Sequence, residues 1–154
     1  MAKKDKDQIQ KIINIHNRKA SHEYHFLDKY VAGIVLKGTE IKSIRMAKVN
    51  MQGAYCLFIN GECWLRDLHI SPYTMAGFVN HEAKTDRKLL LSKRELLKME
   101  QKQKETGLTI VPTRIFINDR GLAKVEIALA KGKKLYDKRQ DLKEKDSKRD
   151  MERS

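Results

Sequence analysis

Cysteine, proline and long apolar runs are all scarce in this chain of 154 residues. There are two cysteines, Cys56 and Cys63. Their spacing matches neither a zinc knuckle nor a redox CxxC, so they read as reduced, partly buried thiols. Proline occurs only at positions 72 and 112 and no segment repeats, so nothing marks a linker within the body. No run reaches the about 18 apolar residues of a membrane span, and "MAKKDKDQIQ" has no apolar signal core. A soluble, cytosolic protein without a membrane partner is expected. Signatures of chemistry are missing too: there is no P-loop, GxSxG, GxGxxG or HExxH. The five histidines have no metal-ligand spacing. His22 and His25 could meet Cys56 and Cys63 at zinc, and Asp28, Glu40 and Asp67 could gather at a nuclease-like rim. Their spacing supports neither, so no catalytic residue, metal or cofactor is assigned, and the chain is read as a non-enzyme.

Positive charge is abundant. Lys and Arg number 33 against 20 Asp and Glu, a net charge of +13, while 40% of residues are hydrophobic. Such a composition suits one globular domain whose field attracts a polyanion. From Lys131 onward there are ten Lys or Arg and six Asp or Glu, so +4 of the charge belongs to this end and +9 to the body. The large apolar groups after Lys131 are Leu135, Tyr136, Leu142 and Met151. They cannot repay an ordering cost of about 1 kcal/mol per residue. Residues 1–130 are therefore read as a folded domain and 131–154 as a basic tail, disordered when free.

Local patterns suggest the elements. Ile9, Ile12 and Ile13 in "DQIQKIINI" have helical spacing. "EYHFLDKYVAGIVLKG" reads as β-structure broken near Asp28-Lys29 and stopped by Gly38. Thr39 can cap a helix in "TEIKSIRM", where Lys42 and Arg45 share a face. Asn60-Gly61 fits a type I′ turn between two strands. "SPYTMAG" reads as a loop. Ser92 and Glu95 form a capping box for a helix that Gly107 ends. "LTIVPTRIFI" and "LAKVEIALA" read as strands joined by "NDRG", with Val125, Ile127 and Leu129 on one face and Lys124 and Glu126 on the other. The sum is a mainly β fold with flanking helices: an OB-like barrel of five to six antiparallel strands with two to three helices. An open α+β sheet is the alternative.

Basic residues cluster in "NRKASH", "KSIRMAK", "RKLLLSKRE" and the tail. Any one cluster alone would read as a solvated face. Their number, with His22, Tyr24 and His25 beside the first, favours RNA, where cations meet phosphates and flat rings meet exposed bases. Leu89, Leu90 and Leu91 read as core, although a strand would turn Leu90 outward onto a base or sugar. In the tail, Lys131, Lys134, Lys138, Lys145 and Arg149 fall within about 60° of a helical wheel, with Asp137, Asp141 and Glu144 alongside. A helix formed against a polyanion would be about 36 Å long. A merely solubilising tail is the other reading, and a general OB-fold translation protein is the other function.

"NRKASHEY", "AGIVLKGTEIKSIR", "NGE", "HISPY", "RKLLLSKRE" and "ALAKGKKLYDKR", spread over about residues 15 to 140, make the chain resemble the SsrA-binding protein (small protein B) family. The resemblance implies a cytoplasmic bacterial factor, a monomer, that binds the tRNA-like part of transfer-messenger RNA (tmRNA). It enters stalled ribosomes with elongation factor Tu for trans-translation, its tail lying as a helix in the vacant mRNA channel. Carried onto this chain, it implies RNA contacts at Arg18, Lys19, His22, Lys42, Arg45, Lys88, Leu90 and Lys124. It implies ribosome contacts at Lys131, Gly132, Lys133, Lys134, Tyr136, Asp137, Lys138 and Arg139. Gly132 is expected to let the tail leave at a sharp angle, and Tyr136 to stack on a decoding-centre base. Relatives often have an acidic residue where Val31 stands, and some have His in place of Tyr136.

Overall fold

The computed structural model describes residues 13–74 and 79–133. Nine strand segments and three helices occur among them, in the order β1 (Asn14–His16), α1 (Arg18–Glu23), β2 (Tyr24–Ile34), α2 (Gly38–Arg45), β3 (Val49–Asn50), β4 (Tyr55–Ile59), β5 (Glu62–Arg66), β6 (His69–Ile70), β7 (Arg87–Leu90), α3 (Lys93–Thr106), β8 (Thr109–Ile117) and β9 (Ala123–Gly132). The main sheet runs β1-β8-β4-β5-β7-β2-β9, and β9 pairs back onto β8. Six strands thus close into a barrel whose neighbours are all antiparallel, with β1 added outside β8. Closure leaves few free edges, as the alternating strands predicted.

The interior is filled from every wall: Ala32, Cys63, Leu65, Leu89, Ile110, Ile115, Val125, Ile127 and Leu129 are buried in one cluster. Ile44 of α2 and Met99 of α3 join it, each fully buried. Each such Leu, Ile or Met contributes about 1.5–3 kcal/mol by leaving water. Cys56 and Cys63 are free, buried thiols. A hydrogen bond to Cys63, followed by burial, pushes the Cys56 thiol well up, so it stays neutral.

Local expectations hold where the chemistry is local. Asn60 and Gly61 have φ of 51° and 76°, and the hairpin closes on the Ile59–Glu62 pair. The Glu95 N–H donates to Ser92 Oγ, and Gly107, at φ 64°, ends α3. Three expectations are corrected. Asn14 and Ile15, the end of the proposed N-terminal helix, are in β1 because Asn14 pairs with Phe116 and Ile15 with Ile115; Ile9 and Ile12 lie outside the described residues. β2 is not broken at Asp28-Lys29; a bulge between Phe26 and Asp28 absorbs Leu27, and pairing to β9 continues on both sides. Thr39 does not cap α2, which starts one residue earlier; the Lys37 N–H donates to Glu40 instead, at 2.8 Å, and the Thr39 hydroxyl pairs with His81. The "SPYTMAG" segment lies outside regular structure as far as Thr74; its remaining residues lie outside the described ones.

Candidate nucleic-acid interface

Strand pairing gathers residues from across the chain into two rows. Antiparallel partners point to the same side of a sheet, so each row can be followed from strand to strand. The first row runs Asn14–Phe116–Lys124–Gly33–Leu90 over β1, β8, β9, β2 and β7. The second, two residues away along each strand, runs His16–Arg114–Glu126–Val31. Both face outward. Leu90 is 53% exposed while Leu89 is buried, which is the turn expected of a strand. Val31 is also exposed.

Glu126 organises the second row. Its Oε1 accepts from the Thr113 hydroxyl at 2.8 Å and lies 3.7 Å from Lys29 Nζ, and its Oε2 accepts from Arg114 Nε at 3.1 Å. Burial pushes the carboxyl up, but these hydrogen bonds and the charges of Arg114 and Lys29 outweigh it and hold it below the usual range. Arg114 lies over the Phe116 ring, 4.3 Å from its centroid. A cavity of about 370 Å³ opens beside this row, where Arg18, Lys29, Arg114 and Glu126 surround Phe26. Its combination of cations, a carboxylate and an aromatic wall suits a nucleotide.

α1 borders that cavity because Asn17 pins it. The Asn17 side chain accepts from the Ala20 N–H at 3.1 Å and donates to the Pro112 carbonyl at 2.8 Å, while its own N–H bonds to Thr113. Arg18 and Lys19 are left exposed, with Glu23 4.0 Å from Lys19, and His22 is half-buried. Tyr24, expected to present an aromatic ring, instead packs on Ala20, Val111 and Ala130.

At the other end of the first row, an apolar groove of about 270 Å³ includes Gly33, Ile41, Leu90, Leu122 and Lys124. Gly33 fits closely: a Cβ there would lie 3.3 Å from Leu90 Cβ and 3.7 Å from Lys124 Nζ. Arg45 Nη2 would lie 3.9 Å from a Cβ on Gly121, which brings α2 to the same rim. The "GTEIKS" motif explains how α2 is held. Glu40 pairs with Arg87, both buried; Ser43 Oγ donates to the Ser71 carbonyl at 2.7 Å; and Lys42 lies 5.4 Å from the Tyr73 ring centroid. His81 Nε2 donates to the Ile70 carbonyl at 2.9 Å, leaving Nδ1 to accept from Thr39 at 2.8 Å.

The strand face therefore joins Arg18, Arg45, Leu90 and Lys124. Lys88 lies on the same side of β7, two residues from Leu90, and is ion-paired with Glu62. His16, Lys29, Arg114 and Phe116 also belong to this face, although sequence reasoning did not select them. The alternation in "RIF" puts Arg114 and Phe116 on one side of a strand and was the available signal. Two of the acids considered for a nuclease rim have other partners, Glu40 on Arg87 and Asp28 on Lys102, and Asp67 sits in a bend at φ 63°. Among the described residues, no three His, Cys, Asp or Glu are placed to hold a metal. No helix among them is long and apolar enough to cross a membrane.

At the basic end, β9 runs two residues past the expected boundary. Lys131 pairs with His25 and Gly132 with Tyr24, and the Lys133 N–H donates to the Glu23 carbonyl at 2.8 Å. Gly132 thus continues the strand. Lys134, Tyr136, Asp137, Lys138 and Arg139 lie outside the described residues.

The family model for SmpB protein matches residues 14–154. An SsrA-binding protein of Cytophaga hutchinsonii is 58% identical over 95% of each chain. One from Phocaeicola vulgatus is 56% identical over 92% of this chain and 94% of its own. A solved structure described as "tmRNA-SmpB: a journey to the center of the bacterial ribosome" contains a chain 46% identical to this one. It covers 80% of this chain and 86% of its own, with a TM-score of 0.69.

Proposed function

The chain belongs to the SmpB family, and from that premise we propose that it binds tmRNA and brings it to stalled ribosomes for trans-translation. The family match along almost the whole chain is the observation that carries this, and the outward strand face supplies a physical means. Arg18, Lys19, Lys42, Arg45, Lys88 and Lys124 contact phosphates, together with Lys29 and Arg114. Leu90, His22 and Phe116 pack on sugars or bases. The gripped element is the tRNA-like part of the RNA, whose single-stranded loops offer bases to such a face.

The two parts of the chain divide the work. The barrel holds tmRNA, while the basic segment that includes Lys131, Gly132, Lys133, Lys134, Tyr136, Asp137, Lys138 and Arg139 engages the decoding centre and the empty mRNA channel. Elongation factor Tu joins through the RNA. The protein works in the cytoplasm as a monomeric adaptor that catalyses nothing itself. Counterion release makes this binding salt-dependent, with a log–log slope of about −0.7 to −0.9 for each phosphate neutralised.

The deciding experiment is recovery of the protein from its own cells and sequencing of the bound RNA, followed by titration with tmRNA and an unrelated structured RNA. Enrichment of tmRNA and its tighter binding are expected. Equal affinity for both would point to a general translation protein, and EDTA-sensitive RNA cleavage would overturn the adaptor reading.

A further inference from the structure

Glu126 is an acid within a face that grips phosphates, and a carboxylate repels them. The fold nevertheless builds a cavity around it. In both strands that flank β9 one extra residue interrupts the pairing: Leu27 between Phe26 and Asp28 in β2, and Thr113 between Pro112 and Arg114 in β8. Such bulges re-aim side chains and are over-represented next to active sites. The Thr113 hydroxyl is thereby turned onto Glu126 Oε1, at 2.8 Å, while Asn17 binds the Pro112 and Thr113 carbonyls and so fixes α1 beside the opening. The cavity of about 370 Å³ lies between these elements. That volume falls within the about 300–1,000 Å³ usual for a small-ligand site.

The side chains around the cavity are of three kinds. Phe26 gives an apolar wall. Arg18 and Lys29 also line it and are exposed, so both charged heads can reach a phosphate. Glu126 is only 15% exposed. Burial pushes its carboxyl up, but the hydrogen bonds from Thr113 and Arg114 and the charges of Arg114 and Lys29 outweigh this and keep it ionised. An ionised carboxylate has about four acceptor positions and donates nothing. Oε1 accepts from the Thr113 hydroxyl and Oε2 from Arg114 Nε. Each oxygen therefore keeps an acceptor position, and the two lie side by side.

Two adjacent acceptors select among bases. Of the four RNA bases, guanine presents two neighbouring donors, N1–H and N2–H, on its Watson–Crick edge. Adenine and cytosine set an amino donor beside a ring acceptor, and uracil has one N–H between two carbonyls. Each of these three brings an acceptor against a carboxylate oxygen, which leaves that oxygen without a donor.

We propose that this cavity binds a single guanine nucleotide: Glu126 accepts from N1–H and N2–H, Phe26 packs on the base, and Arg18 and Lys29 hold the phosphate. An unstacked guanine of RNA and a free guanine nucleotide share this chemistry. The RNA source rests on the function proposed above; the site itself rests on the geometry around Glu126.

The test is calorimetric titration of the full chain with GMP, AMP and IMP, the last lacking the 2-amino group. It is repeated with E126Q after thermal unfolding has verified folding. GMP should bind about tenfold more tightly than IMP or AMP. Glutamine offers one acceptor and one donor, and the Thr113 hydroxyl, which donates to the Glu126 backbone carbonyl at 3.1 Å, can accept from the amide. E126Q should therefore lose the preference for GMP and favour AMP, whose edge pairs a donor with an acceptor. A carboxylate that merely ties β8 to β9 would change stability on substitution but not base preference. Equal binding of the three nucleotides, no heat from any of them at millimolar concentration, or an unchanged GMP preference in E126Q would each overturn the proposal. GMP titration of the tmRNA complex separates the sources: loss of GMP binding identifies a guanine of the RNA as the occupant, and unchanged binding identifies a free nucleotide. Failure of the parent to prefer tmRNA over unrelated RNA would overturn the proposed function alone, while the three titrations would still decide the site.

Discussion

Replacing Arg87 by methionine should unfold this barrel more readily than any surface change. The Arg87 and Glu40 side chains are 1% and 3% exposed. Arg87 Nε donates to Glu40, Nη1 to the Leu68 carbonyl at 2.6 Å, and Nη2 to the Ala83 carbonyl at 3.1 Å. Glu40 keeps one other donor, the Lys37 N–H. R87M therefore leaves a carboxylate buried beside carbonyls that have lost their donor. Breaking a buried pair from one side costs about 3–5 kcal/mol, a large share of the about 5–15 kcal/mol that holds a domain together. Urea unfolding at pH 7 reads this directly: with a slope of about 2 kcal/mol/M, the midpoint should fall by roughly 2 M. The double variant E40Q/R87M should recover part of the loss, since no uncompensated charge remains. A loss under about 1 kcal/mol, or a double variant no more stable than R87M, would refute this account of how α2 is held.

Glu126 predicts a pH dependence. Its folded pKa is depressed, so its contribution is present above the unfolded value of about 4.3 and disappears as pH falls through the folded value. The stability advantage of the parent over E126Q should shrink between pH 5 and strongly acidic pH; a gap that stays constant would contradict the assigned cause. L90A should leave the melting temperature nearly unchanged while weakening tmRNA binding several-fold, because Leu90 is mostly exposed; unchanged binding would remove it from the interface. K124Q should weaken tmRNA binding and reduce the salt slope by about 0.7–0.9; an unaltered slope would mean that Lys124 meets no phosphate. Truncation after Lys133 should preserve folding and tmRNA binding while abolishing peptide tagging. Truncation before Lys131 should also lower the melting temperature, because two strand pairs and the bond to Glu23 are removed; identical melting of the two would show that these pairs contribute nothing.

Several features of the site were legible before folding was considered. Leu90 read as core with Leu89 and Leu91, and the two-residue period of a strand offered the outward position it takes only as the other possibility; Lys42 and Arg45 were put on one helix face by their three-residue spacing. Phe116 and Arg114 were less visible, because their importance depends on Asn14, His16, Lys124 and Glu126 lying beside them, and β1 and β9 are brought there only by pairing. Tyr24 misled for the same reason: its neighbours in the chain are polar, but its packing partners, Val111 and Ala130, come from distant strands. Glu40 looked like a helix-start acid and is one, but its partner Arg87 lies 47 residues away. The break assigned to Asp28-Lys29 became a bulge because pairing with β9 is stronger than the local charge pattern.

Composition and short-range pattern determined what depends on adjacent atoms: the excess of positive charge, the Asn60-Gly61 turn, the Ser92–Glu95 cap, and the alternation of β8 and β9. Turn geometry, caps and strand periodicity involve residues a few positions apart, so they can be read along the chain. Tertiary structure alone decided that β9 closes on both β2 and β8, which cations have acidic partners and which do not, and that residues from β1 to β9 share one outward row. Those outcomes depend on distances between segments brought together by core burial, and no local stretch of sequence contains such distances.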